Sequence, residues 1–137
     1  MKCKRSNIGR SRVLLSRLLF VLYLAAIAFL CLIHPQRLPE VSRFVLGIPT
    51  DKVAHFLMFL PFPVLAYLSF DKDTPKFWHS LVFILVVLAA GFGVAALTEY
   101  LQSLTPYRTA DRADLMADTM ALAVSSVTVF IIDRVGR

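Results

Sequence analysis

The sequence predicts an all-α fold: a bundle of four membrane-spanning helices with both termini on the cytoplasmic side. Three observations carry this. Apolar residues make up 58% of the 137-residue chain, above the usual share for a soluble domain. Four apolar runs, at about 13–33, 53–70, 77–101 and 115–132, approach or exceed the roughly 20 residues a spanning helix needs. The basic residues lie mostly beside these runs and mostly on one side.

Residues 1–12 form a basic cytoplasmic tail with Lys2, Lys4, Arg5, Arg10 and Arg12. Residues 13–134 form one transmembrane domain. The first run ends in Phe29-Leu30-Cys31-Leu32-Ile33, without a small-x-small cleavage site, so it reads as a retained anchor rather than a signal peptide. The loop from His34 to Thr50 is punctuated by Pro35, Pro39 and Pro49. The second run contains Pro61 and Pro63 and should kink, which bundle partners tolerate. A polar turn, Asp71 to Lys76, leads to the third run, where Gly91 and Gly93 permit close helix approach. A loop over Ser103–Arg112 precedes the fourth run. Trp78, Tyr67, Tyr100 and Tyr107 read as interfacial aromatics, and His34 and His79 as ordinary span-end residues. Cys3 and Cys31 fall on opposite sides of the membrane and cannot pair.

With the N-terminus inside, ten of the fifteen Lys and Arg residues lie on the cytoplasmic side. The remaining five are Arg37, Arg43, Lys52, Arg108 and Arg112. The net charge of +6 therefore reads as contact with anionic lipid and fixed topology, not as nucleic-acid binding.

This topology gathers polar residues from three helices at the outer face. Asp51, His55 and Phe59 are four apart and share one helix face. Glu99 and Gln102 share another. Asp111, Asp114 and Asp118 form a third stripe, with Asp118 about 6 Å deeper than Asp114 along the axis. Arg108 in the preceding loop is placed to fold over these acids, and its guanidinium suits carboxylate or phosphate. An ionisable group near membrane depth is costly unless paired or facing a cavity. The expected ligand-binding set is thus Asp51, His55, Glu99, Gln102, Arg108, Asp114 and Asp118. Simpler roles compete: Thr50 or Asp51 is placed to N-cap the second helix and Asp111 the fourth, and Arg108 to form a structural ion pair with Glu99 or Asp114. Glu99 interrupts an apolar run and is expected to cap nothing. His55, Glu99, Asp114 and Asp118 could together hold a divalent metal, since carboxylates suit a hard cation, but no zinc-type spacing such as HExxH exists, and no metal or cofactor is expected.

The ordered blocks Asp51-Lys52-Val53-Ala54-His55-Phe56, Glu99-Tyr100-Leu101-Gln102 and Pro106-Tyr107-Arg108, with Asp111 and Asp114 following, resemble the VanZ-like integral membrane proteins over about residues 48–125. The chain departs from that pattern where Asp118 and Ala121 stand in place of Asn and Gly. The resemblance implies a multi-pass protein of the bacterial cytoplasmic membrane with an envelope role, such as teicoplanin resistance. It does not imply a reaction. Three functions follow as alternatives. One is an outer cup binding a wall precursor, lipid headgroup or glycopeptide, with Arg108 on an anionic group and His55 and Glu99 orienting it. The second is an enzyme acting on a lipid-linked substrate. The third is a proton-linked transporter, for which four short spans leave little room without oligomerisation. Membrane lipids are the expected partners.

Overall fold

In a computed structural model, residues 3–33, 43–70, 76–107 and 111–136 are described. They form α1 (Cys3–Leu32), a short hairpin of β1 (Phe44–Val45) and β2 (Ile48–Pro49), α2 (Thr50–Phe59), α3 (Phe62–Phe70), α4 (Phe77–Ser103) and α5 (Arg112–Val135). Four stretches are long and apolar enough to cross a membrane: Arg10–Leu32, Thr50–Phe70, Phe77–Ser103 and Arg112–Val135. The expected four-span helical architecture is present. α1 begins at Cys3, so the basic segment is helical ahead of the apolar stretch that starts at Arg10.

The helices alternate in direction. Gln102, near the end of α4, donates through Nε2 to the Cys31 carbonyl near the end of α1, at 3.0 Å. The Asp111 N–H, just ahead of α5, donates to Glu99 Oε2 of α4 at 3.1 Å. At the opposite end, Arg17 Nε of α1 donates to the Ser69 carbonyl of α3 at 3.1 Å. α2 packs chiefly on α5, as does α4, while α1 lies mainly on α3.

The second span breaks between Phe59 and Phe62, as its prolines require. Pro61 and Pro63 have no N–H to give the carbonyls of Leu57 and Phe59. The Tyr23 hydroxyl of α1 donates to the neighbouring Met58 carbonyl at 2.5 Å, satisfying backbone at a depth without water.

Phe20, Ile27, Phe59, Phe62, Ala66, Val87, Ala95, Ala121 and Leu122 form the buried core. Gly91 is what lets α4 close onto it. A Cβ there would lie 2.6 Å from Leu122 Cδ2 and 3.2 Å from Phe62 Cδ1. Gly93 does not share this role: a Cβ there meets nothing within 4 Å, because Gly93 faces outward. Cys31 is buried, at 2% exposure.

The segment before α2 is more ordered than a loop. Phe44 pairs with Pro49 and Val45 with Ile48, antiparallel, around Leu46 (φ 53°) and Gly47 (φ 81°). Two successive left-handed residues make the tight turn that suits strand twist. Phe44, Leu46 and Ile48 are all exposed apolar side chains, in keeping with an interfacial position.

Candidate functional site

The polar residues meet at the end of the bundle where α2 and α5 begin and α4 ends. Lys52 is the outer hub. Its Nζ lies 3.2 Å from Asp51 Oδ2, 2.6 Å from Asp111 Oδ2 and 2.5 Å from Asp114 Oδ1. His55 is the inner hub. Its Nδ1 lies 3.1 Å and 3.3 Å from the two oxygens of Asp118 and 3.9 Å from Glu99 Oε1. Its Nε2 lies 3.7 Å from Asp114 Oδ2. Asp114 thus joins the two hubs.

Exposure falls steadily along this chain of contacts. The Asp51 side chain is 59% exposed, Lys52 20%, His55 8% and Asp118 0%. The site is a funnel with its most buried carboxylate at the bottom. The one-turn offset between Asp114 and Asp118 places the deeper acid there.

Asp111 keeps its expected capping role, while other local roles differ from expectation. Asp111 N-caps α5, accepting from the Ala113 N–H at 2.9 Å. Neither Thr50 nor Asp51 caps α2: the N-cap is Pro49, without a side-chain hydrogen bond. The helix starts one residue too early for them, and Asp51 sits in its first turn. Glu99 does serve a helix start, but that of α5, through the Asp111 N–H. Gln102 turns its amide to α1, tethering that helix rather than facing the histidine. Arg108 lies outside the described residues, as do His34 and the turn 71–75.

Two groups escaped the sequence reading. Lys52 sits in the Asp51–His55 block, yet it reads there as a surface cation. Only the tertiary fold turns it onto Asp111 and Asp114. Asp133 stands just past the fourth apolar run, 115–132, yet is buried within α5. It accepts from the Tyr67 hydroxyl at 2.7 Å and the Ser80 hydroxyl at 2.8 Å. Tyr67 is therefore a part-buried hydrogen-bond donor between helices as well as an aromatic near a span end. Trp78, Tyr100 and Tyr107 are exposed.

Asp111 stands outside the spans, and its carboxyl is held below the usual range. The hydrogen bond from Lys52 is the main cause, followed by the Ala113 N–H.

A groove of about 510 Å³ opens between α1 and α2. Ala26, Ile27, Leu30 and Leu57 line its apolar length, and Asp51 and His55 lie at its polar end. A second, of about 560 Å³, lies between the hairpin, α2 and α5 and reaches Lys52.

A model of the VanZ/LLP1 family matches residues 19–133. The chain belongs to the VanZ/LLP1 family. That VanZ/LLP1 match takes in every polar residue of the site and ends on the buried Asp133. With its four apolar helices, this VanZ-like chain is a multi-pass membrane protein. No curated protein and no solved structure matches it.

Proposed function

We propose that this VanZ-like protein binds an envelope amphiphile in the bacterial cytoplasmic membrane and thereby contributes to antibiotic or envelope-stress resistance, teicoplanin tolerance included. The ligand class is a wall precursor, a lipid headgroup or a glycopeptide. One observation carries the reading: the groove between α1 and α2 is apolar along its length and ends at Asp51 and His55. That is the shape of a site for a molecule with an acyl chain and a polar head, reached laterally from the bilayer. Among the described residues five acids (Asp51, Glu99, Asp111, Asp114 and Asp118) face only Lys52 and His55. This balance favours an amine- or hydroxyl-rich headgroup, with Arg108 available to an anionic part of it. The positive-inside charge pattern supports an outward-facing polar end and cytoplasmic termini.

Mass spectrometry of lipids and wall precursors co-purifying with the protein tests this. The wild type should carry a defined species, and Ala54→Trp, which fills the groove without touching the polar network, should lose it while staying helical. An unchanged profile in Ala54→Trp would overturn the reading. Arg108→Ala should lower drug tolerance at normal expression, whereas Lys76→Ala should not.

A second reading, an enzyme acting on a lipid-linked substrate, is favoured by the close His55–Asp118 pair. A carboxylate that orients an imidazole is the usual arrangement of a general base. Turnover by purified protein, abolished in a folded His55→Ala variant, would establish it. The transporter reading has less support: the fully buried Ala121 and Leu122 separate Asp118 from Ser125 by about 10 Å along α5.

A further inference from the structure

We propose that His55 Nδ1, Glu99 Oε1 and an Asp118 carboxylate oxygen form a site for one divalent first-row transition-metal ion, Zn²⁺ or Mn²⁺. This goes beyond the amphiphile reading and does not depend on it. All three residues are buried, and their donor atoms lie within 4.8 Å of one another.

The independent observation is Glu99 Oε1. Its side chain is 7% exposed, and its other oxygen accepts from the Asp111 N–H. Among the described residues Oε1 has no hydrogen-bond partner, and it lies 3.9 Å from His55 Nδ1, on the side Asp118 also approaches. A buried carboxylate oxygen without a donor is expensive. It is the atom a cation would satisfy.

The spacing suits the ion. Arms of about 2.1 Å in a tetrahedron give ligand–ligand edges of about 3.4 Å. The His55–Asp118 and His55–Glu99 separations, 3.1 Å and 3.9 Å, bracket that edge, so small side-chain shifts would close the shell. Charge agrees: two carboxylates and a divalent cation sum to zero around a neutral imidazole, the arrangement a low-dielectric site favours. One nitrogen with two carboxylate oxygens suits zinc or manganese better than calcium or magnesium, which take oxygen ligands.

The surroundings complete the case. Asp114 Oδ2 lies 3.7 Å from His55 Nε2, where a carboxylate fixes the ring of a metal-bound histidine. The neighbouring acidic trio, Asp51, Asp111 and Asp114, differs, because the Lys52 ammonium already lies among its oxygens. The sequence offers these ligands, together with Asp114, only through topology, because they come from three helices with no short metal-type spacing among them.

Chelator-treated, detergent-solubilised protein should be titrated with Zn²⁺, Mn²⁺ and Mg²⁺ alone by calorimetry, with metal content measured in parallel. One equivalent of Zn²⁺ or Mn²⁺ should bind. Glu99→Gln and Asp118→Asn should each weaken it at least tenfold with helicity intact, and Lys76→Ala should leave it unchanged. Absence of stoichiometric Zn²⁺ and Mn²⁺ binding by the wild type would overturn the proposal, as would undiminished binding by folded Glu99→Gln and Asp118→Asn. Should those variants unfold, Co²⁺-loaded wild type decides: visible bands of histidine and carboxylate coordination support the site, and a spectrum of aqueous Co²⁺ overturns it.

Discussion

The two ends of this bundle bury carboxylates in opposite ways. At one end Asp133 is nearly inaccessible, and each of its oxygens receives a hydroxyl, from Tyr67 of α3 and from Ser80 of α4. Donors and acceptors match, and the acid pins three helices. At the other end Glu99, Asp114 and Asp118 surround His55, and Glu99 keeps an oxygen without a hydrogen-bond partner among the described residues. That end also adjoins a groove. A buried polar group with every bond satisfied holds a structure together. One left with unused capacity is poised to take a ligand. Burial is common to both sets of acids; the state of their bonds is what differs.

The comparison breaks most readily at the Asp133 end. Asp133→Ala should lower stability by roughly 2–3 kcal/mol, for two lost interhelical hydrogen bonds to a charged acceptor. Co-purifying ligand should be unchanged per folded molecule. Glu99→Gln should do the reverse. Its amide oxygen still accepts from the Asp111 N–H, so stability should change by less than about 1 kcal/mol while binding is lost. Denaturation in detergent and mass spectrometry on the same samples check both. If Asp133→Ala removed the ligand from folded protein, the division of labour would be wrong.

Next in size, Gly91→Ala should cost about 1–3 kcal/mol by forcing Leu122 and Phe62 aside in a filled core, whereas Gly93→Ala should be neutral or slightly stabilising. Tyr67→Phe should cost about 1 kcal/mol, keeping the ring and losing one hydroxyl. An effect near zero would reduce the Asp133 pin to Ser80 alone.

The smallest expected effect is on acidity at the mouth of the funnel. Asp111 has a carboxyl lowered in the folded protein by its hydrogen bond from Lys52. Its contribution to stability is therefore full above the ordinary carboxylate value of about 3.9 and is lost as pH falls through the lower folded value. Acid titration of unfolding should show that loss in the wild type. Lys52→Met should flatten it, and an unchanged acid limb would remove Lys52 as the cause.

The sequence by itself determined the four spans, because length and apolarity suffice to specify a membrane helix. It also determined the kink, since Pro61 and Pro63 remove hydrogen bonds wherever they stand. The single stripe of Asp111, Asp114 and Asp118, with Asp118 deepest, followed from helical periodicity, which is a local property. Partnerships were another matter. Nothing in the spacing of Lys52 says that it meets Asp114, 62 residues away. Nothing in a polar C-terminal run says that Asp133 is buried by Tyr67 and Ser80, and equal composition hid the difference between Gly91 and Gly93. These are contacts between helices, set by rotation and depth, which helix periodicity leaves free. The tertiary structure alone decided which of these acids have both oxygens bonded and which keeps one open.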